Sequence, residues 1–150
     1  ETQHTFQIED TVALFAETAQ NFNGEMGEPK WTGRASATLQ YGPWSGSWVT
    51  NMIGEASNYD SFGGNTATVY GREVRVVLDA GDVFYHNASA AYTFDNGLNL
   101  RVGVSNVFDE EPPRLTTLNL GEVNTQGNSA FYSQYDWEGR TIFANIRWDM

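Results

Sequence analysis

The chain has 150 residues, 40% of them hydrophobic and 14% aromatic, which is the composition of one folded unit. Nineteen acidic residues against eight basic ones give a net charge of −11, so the chain lacks a basic surface for nucleic acid or anionic lipid headgroups. The absence of cysteine excludes disulfides, a thiolate nucleophile and cysteine-ligated metals. No stretch is apolar over the roughly 18 to 20 residues that a transmembrane helix needs. This criterion does not detect membrane-spanning β-strands, because their residues alternate between apolar and polar.

Five segments alternate apolar and polar residues with the period of two that is typical of β-strands. They run from Trp31 to Tyr41, Trp44 to Ile53, Phe84 to Phe94, Leu98 to Ser105 and Ile142 to Met150. Only Gly42-Pro43 separates the first two segments, and only Asp95-Asn96-Gly97 separates the third from the fourth. Because these residues favour tight turns, we expect two hairpins.

Three longer connections, rich in Gly, Asn, Ser and Thr, alternate with the short turns. They cover Phe22 to Lys30, roughly Glu55 to Gly81, and roughly Asp109 to Glu138. Within the second, the β-like run Thr68 to Leu78 either extends the neighbouring strands or forms its own hairpin. An imperfect strand pattern from Phe6 to Ala16, interrupted by Asp10, brings the expected number of long strands to about six.

Aromatic residues gather at the ends of these strands. They are Trp31, Tyr41, Trp44, Phe84, Tyr92, Phe94, Phe108 and Trp148. The middles of the same faces carry Ala, Gly, Leu and Val, and the opposite faces carry Ser, Thr, Asn, Gln and Arg, which are too polar for a dry core. This pattern predicts an all-β fold of antiparallel transmembrane strands with aromatic girdles at both interfaces and a wet lumen.

Several motifs, in this order, resemble the C-terminal end of TonB-dependent outer-membrane receptors. Pro29-Lys30-Trp31 leads into a strand, Val104-Ser105-Asn106-Val107-Phe108-Asp109 precedes Pro112-Pro113, and Tyr135-Asp136 precedes Gly139-Arg140 and the last strand. The resemblance covers most of the chain from about Pro29 onward. One departure is the end of the chain, Trp148-Asp149-Met150, where outer-membrane barrels commonly end in Phe.

The resemblance implies a 22-stranded barrel that is filled by a plug domain and imports siderophores, cobalamin or oligosaccharides with energy delivered through TonB. Residues 1–150 would be the C-terminal part of that barrel, about its last six strands, in the bacterial outer membrane. About six strands cannot close a barrel, because an open edge in lipid leaves backbone groups unsatisfied. The expected partners are therefore the rest of the barrel and its plug, the TonB complex through that missing part, the barrel-insertion machinery, and outer-membrane lipid.

The resemblance also implies an orientation and a role for the last strand. If this strand ends in the periplasm, Gly42-Pro43 and Asp95 to Gly97 are periplasmic turns and the long connections are extracellular. The last strand would close the barrel and signal insertion. The residues expected to serve this role are Gly139, Ile142, Ile146, Trp148 and Met150.

Two further groups of residues are candidates for ligand contact. Aromatic side chains in the long connections could stack on a ligand or simply pack the loops together: Tyr59, Phe62, Tyr70, Phe131, Tyr132 and Tyr135. Arginines on the lumen-facing parity could line an anion path or pair with carboxylates: Arg34, Arg101 and Arg147.

No catalytic arrangement is predicted, so we expect neither an enzyme nor a cofactor or metal. His86 falls on the lipid-facing parity near a strand end, where an interfacial ring is the expected role. The acidic residues Asp109 to Glu111, Asp136 and Glu138 could collect a cation, but solvated loop charge explains them better.

Two other readings of the sequence remain open. The first is a soluble β-sandwich that acts as a carbohydrate-binding or adhesion module, whose loop aromatics grip a glycan. The second is a complete small outer-membrane barrel without transport function, which would need Thr68 to Leu78 and one more segment to be spanning strands.

Overall fold

The computed structural model of the chain describes residues 5–6, 20–58, 66–116, 125–126 and 128–148. These residues contain strands, turns and loops but no helix, and hence no helix that is long and apolar enough to cross a membrane. All pairing between the strands is antiparallel. The predicted all-β class is therefore confirmed for the described part of the chain.

Thirteen strands lie in these ranges. In chain order they are β1 (Thr5–Phe6), β2 (Gln20–Asn21), β3 (Thr32–Tyr41), β4 (Trp44–Ile53), β5 (Ala56–Ser57), β6 (Thr66–Val69), β7 (Arg72–Arg75), β8 (Asp79–Ala80), β9 (Val83–Thr93), β10 (Leu98–Ser105), β11 (Thr125–Gln126), β12 (Ser129–Ala130) and β13 (Thr141–Trp148). The five long strands form one sheet in the order β13-β10-β9-β4-β3, and the short strands form four separate pairs. The long strands thus lie beside one another in the order in which the chain makes them.

The two predicted hairpins are confirmed. Gly42, at φ +55°, turns β3 into β4. Gly97, at φ +82°, lies in the turn from β9 to β10, where the Phe94 amide donates to the Leu98 carbonyl at 2.7 Å. Positive φ is the conformation that glycine adopts without steric cost, so both turns follow directly from the sequence.

The other predicted elements fall into two groups. The run Thr68 to Leu78 lies partly in a hairpin of its own, β6 with β7, so the second of the two alternatives holds. The segment from residue 7 to Ala16 and the chain end at Met150 lie outside the described residues. The five long strands agree with the sequence pattern to within one residue at the ends that are described.

The pairing register brings the apolar alternating positions of the five strands together on one side of the sheet. In the middle of the sheet, Val102 lies opposite Ala90 on one neighbour and Ala144 on the other. Directly paired residues of antiparallel strands point their side chains to the same side. We call the side that carries Ala37, Leu39, Trp48, Ala90, Val102 and Ile146 the apolar face, and the side that carries Arg34, Thr38, Ser47, Ser89, Arg101 and Asn145 the polar face.

The buried core is made by the long connections at one end of the sheet. Its members are Met26, Ile53, Ala56, Ala80, Val83, Tyr85, Leu115, Ala130 and Tyr135, a group that we call the loop cluster. The five long strands contribute Ile53, Val83 and Tyr85, and all three belong to the polar-face parity. The apolar face contributes none of these residues. We call this end of the sheet the loop end, and the end with the two tight hairpins the turn end.

Asn106 fixes the chain just beyond the loop end of β10. It is fully buried, its amide donates to the Asn87 side chain at 2.9 Å, and its side-chain oxygen accepts from the Glu110 amide at 2.8 Å. Its side-chain nitrogen donates to the Glu110 carbonyl at 3.0 Å, while its backbone stands at φ +50°. Asn is among the few residues that tolerate this conformation and can bond to both sides of a loop.

We expect Asn106→Ala to lower the free energy of unfolding by about 2 to 3 kcal/mol, because the partly buried backbone groups of Glu110 lose their hydrogen bonds to Asn106 and Ala is strained at positive φ. Asn145→Ala is the matched control, since Asn145 is exposed on the polar face of β13, and it should change stability by less than about 0.5 kcal/mol. Urea unfolding followed by tryptophan fluorescence in detergent micelles measures both. Equal losses for the two variants would show that Asn106 does not hold this loop.

Candidate functional site

The apolar face is uncovered. Ile142, Ile146 and Leu39 expose 81%, 70% and 73% of their surface, and among the described residues of this face none is buried. Five strands about 4.8 Å apart, with about ten residues of about 3.3 Å in each, give the face an area of about 600 Å². Soluble monomers rarely expose a contiguous apolar patch larger than a few hundred Å². This face therefore requires a covering that the described residues do not supply.

Aromatic rings mark the turn end of the apolar face. The rings of Trp44 and Tyr92 meet edge to face at 4.8 Å, and those of Tyr92 and Phe94 meet likewise at 4.7 Å. The Trp148 indole donates to the Asn96 carbonyl at 3.1 Å, which ties β13 to the neighbouring turn. Each ring keeps one apolar side outward, and the polar atom of Trp148 is bonded within the chain. Such amphipathic rings suit a boundary between an apolar and an aqueous medium.

A second aromatic group lies toward the loop end of the same face. The His86 ring lies 5.5 Å from the Trp48 ring and 5.1 Å from the Phe108 ring. Thr50 joins this group, because its hydroxyl accepts from the Trp48 indole at 3.2 Å and lies 2.9 Å from Nδ1 of His86. The polar atoms of this otherwise apolar region thus bond to one another. The structure places His86 among aromatic rings near the strand end, as the alternation predicts.

The polar face carries hydrogen bonds between strands instead of an apolar core. The Ser47 and Ser89 hydroxyls are 2.8 Å apart, and Arg101 donates to Ser89 at 3.4 Å. Arg34, Arg101 and Arg147 all lie on this face, as expected, and all three are exposed. Whether they line an anion path or pair with carboxylates stays a prediction.

One aromatic side chain on the polar face packs over a strand glycine. Phe143 lies opposite Gly103, and a Cβ atom on Gly103 would come within 2.3 Å of the Phe143 ring. Gly103 also packs closely against the Ala88 carbonyl, where the same Cβ would approach to 2.9 Å. An aromatic ring over a strand glycine restores the packing that the missing side chain forfeits. The ring of Phe143 therefore helps to hold β13 against β10.

The predicted ligand-contacting aromatics have different environments. Tyr59 and Phe62 lie outside the described residues. Tyr70 is fully exposed at the tip of the β6–β7 hairpin, and Phe131 is half exposed with its ring 5.0 Å from that of Trp137. These two remain available to a ligand.

Tyr132 and Tyr135 belong to the packing of the loops. Tyr132 packs against the loop cluster from outside, and Tyr135 is 4% exposed inside it. The Tyr135 hydroxyl donates to the sulfur of Met26 at 3.9 Å, and burial raises the pKa of this hydroxyl above its usual 10.0. Tyr135 thus packs the loops and also lines the recess described below, and its contact with a ligand stays a prediction.

Asp109 joins two of the motifs on which the resemblance rests, its own and the Gly139-Arg140 pair. Its Oδ1 accepts the Arg140 amide at 2.8 Å, and its Oδ2 lies 3.6 Å from the Arg140 guanidinium. Gly139 makes this approach possible at φ +68°, because a Cβ there would lie 3.0 Å from the Asp109 carboxylate. The ion pair itself is exposed and adds little to the stability of the fold. The hydrogen bond to the Arg140 backbone amide fixes where β13 begins. The residues that follow β10 therefore position the last strand.

The acidic residues of the third connection do not converge on one point. Glu111 pairs with Arg114 at 2.8 Å, which raises the pKa of Arg114, and Asp136 accepts the Glu138 amide at 3.0 Å. Across the described ranges, His, Asp and Glu side chains form no group of three that could hold a metal ion.

A polar recess of about 570 Å³ opens on the polar face beneath residues 133–139. The amides of Asn51, Asn87 and Gln134 and the carboxylates of Asp136 and Glu138 line it, together with four Ser and Thr hydroxyls from neighbouring strands and the loop. Sequence reasoning missed this site, because its residues come from five strands and one loop. The dense polar run from Ser133 to Glu138 directly before the last strand was the one available signal.

We expect Gly139→Ala to lower the free energy of unfolding by about 1 to 2 kcal/mol, since Ala is disfavoured at positive φ, and its methyl group would press against Asp109. Gly81→Ala is the matched control, because a Cβ at Gly81 meets no atom within 4 Å. It should leave stability unchanged or raise it by about 0.5 kcal/mol. Thermal unfolding of both variants in detergent measures the difference. A Gly139→Ala variant as stable as Gly81→Ala would contradict the contact with Asp109.

Comparison with known protein families, curated proteins and solved structures finds no significant match to this chain.

Proposed function

We propose that this chain is the C-terminal part of a TonB-dependent outer-membrane receptor and contributes barrel strands and extracellular loops to the uptake of a nutrient. The observation that carries the proposal is the exposed apolar face of the five-stranded sheet. Its residues are those that hydrocarbon accepts, and rings with polar edges stand at both ends of it. Lipid is the one surrounding that suits such a face without a second protein layer.

The length of the strands fits a bilayer. β3 and β4 each have ten residues, and ten residues tilted by about 40° span about 25 Å, the height of the apolar band of membrane barrels. The polar face suits a wet interior, because its serines, asparagines and arginines bond to one another and to water. In the dry core of a sandwich, each of these groups that lacked a hydrogen-bond partner would cost about 1 to 3 kcal/mol of stability.

Two open edges support the view that the sheet is part of a larger assembly. Among the described strands, β3 and β13 each pair on one side only. In lipid, unpaired backbone groups are costly, so both edges need partner strands. The remaining strands of the same receptor would supply them, and the last strand, with Gly139, Ile142, Ile146 and Trp148, would be one side of the seam.

The arrangement of connections is consistent with the proposed orientation. Both tight hairpins and the end of β13 lie at the turn end, and the long connections with their loop cluster lie at the other. Outer-membrane barrels have short periplasmic turns and long extracellular loops. The turn end would therefore face the periplasm, and the polar recess would open into the lumen near the extracellular side.

Further support comes from the motifs of the resemblance, because they meet in space. The motif around Asn106 and Asp109 and the Gly139-Arg140 pair are far apart in sequence, and a hydrogen bond of 2.8 Å joins them. Motifs that matched by chance would have no reason to contact each other in the folded chain. The contact is expected if these motifs position the last strand in the same way in this chain and in the receptor family.

We expect Val102→Arg to destabilise the chain in phospholipid vesicles by about 2 to 4 kcal/mol, because the charge would lie near the middle of the bilayer. Thr38→Arg, in the middle of β3 on the polar face, should change stability by less than about 0.5 kcal/mol. Flotation with vesicles and urea unfolding in them provide the two measurements. The soluble-module alternative requires the opposite: Val102 is already half exposed, so Val102→Arg would be harmless and the chain would stay monodisperse without detergent.

A further inference from the structure

We infer that the polar recess is a binding subsite for an uncharged, hydroxyl-rich ligand of the sugar class. This inference rests on the proposed function, since it names the kind of nutrient that the receptor would take. The recess of about 570 Å³ lies in the range of small-molecule sites. It lies on the polar face at the loop end, where a ligand entering from the extracellular side would arrive.

The lining of the recess consists of groups that bond to hydroxyls. Three amides offer both donors and acceptors, four Ser and Thr hydroxyls do the same, and Asp136 and Glu138 add acceptors. A sugar presents neighbouring hydroxyls, each of which can donate and accept at once. Ile53, on the polar-face parity, adds an apolar side chain to the wall, which suits the C–H surface of a sugar ring.

Two side chains that border the recess have polar atoms without a partner. The Tyr85 hydroxyl lies near the Asp136 backbone but makes no hydrogen bond of good geometry, and the Gln134 side-chain nitrogen, although Gln134 lies beside the Tyr135 hydroxyl, makes none either. Tyr85 is 95% buried, as its 5% exposure shows. Buried polar atoms are paired in more than about 90% of cases. The Trp137 indole nitrogen is the third such atom among the described residues and lies in the same loop, outside the lining. Two such atoms at the recess indicate a partner that is not part of the described chain.

Charge decides between classes of ligand. The lining holds two carboxylates and, among the described residues, no Lys, Arg or His, so an anionic ligand would be repelled. A cationic ligand would need carboxylates that face it together, whereas Asp136 already accepts the Glu138 amide. The neutral amides and hydroxyls outnumber the carboxylates, which favours an uncharged ligand.

The test is calorimetric titration of the full chain in detergent micelles with three kinds of probe. These are uncharged trisaccharides (maltotriose, cellotriose and mannotriose), the anionic trigalacturonic acid, and the cationic spermidine. At least one uncharged trisaccharide should bind, and the two charged probes should not. Tighter binding of either charged probe, or no binding of any trisaccharide, would overturn the inference.

Variants locate the binding in the recess. Gln134→Leu should weaken binding of the trisaccharide by about tenfold, and Asn51→Leu should have a similar effect from the opposite wall. Gln40→Leu, on the polar face at the turn end, is the matched control and should bind like the parent chain. Circular dichroism confirms that each variant is folded. If a folded Gln134→Leu and a folded Asn51→Leu both bind like the parent chain, the recess is not the site.

Failure of this inference is distinct from failure of the proposed function. A chain that floats with vesicles but binds no sugar keeps its proposed role as a barrel segment and loses the subsite. A chain that binds sugar in the recess but stays soluble without detergent keeps the subsite and loses the barrel.

Discussion

The backbone pairing of β4 with β9 determines the character of the whole sheet. Ten consecutive residue pairs run from Trp44 opposite Tyr92 to Ile53 opposite Val83, and the pairs on either side continue the same register. Because side chains alternate, a shift of one residue would move each apolar side chain to the other face. With the observed register, one side of the sheet is mainly apolar from edge to edge, and the other side carries the polar residues together with the strand residues that join the loop cluster. The different character of the two sides follows from this single alignment.

The loop end shows how the chain remains ordered although its apolar face packs against nothing in the described residues. The long connections form their own small core with Ile53, Val83 and Tyr85, three residues whose parity would otherwise assign them to a polar interior. Asn106 and Asp109 then connect β10 to the start of β13. The order of the loop end therefore depends on contacts between connections, and the polar recess is lined by one of them. A ligand in the recess would contact the same loop that positions the last strand.

Local patterns predict the five long strands and both tight hairpins, because alternation and turn chemistry act over a few residues. The loop cluster could not be predicted this way. Met26, Leu115 and Ala130 are single apolar residues in Gly- and Asn-rich connections, where no period marks them as buried. Tyr135 illustrates the same limit, since an aromatic residue in a loop has the same appearance in a sequence whether it packs inward or faces a ligand. The recess depends on pairing between distant strands, and its residues converge only in the folded chain.

The most direct test of the central claim is a spin-label scan of β10 in phospholipid vesicles. The chain has no cysteine, so each introduced cysteine is a unique attachment site. At Leu100→Cys and Val102→Cys we predict high collision rates with oxygen, which concentrates in lipid. At Asn99→Cys and Arg101→Cys we predict high collision rates with a water-soluble nickel complex. A period of two in these rates would establish that the apolar face contacts lipid, and equal access of the nickel complex to all four positions would contradict the account.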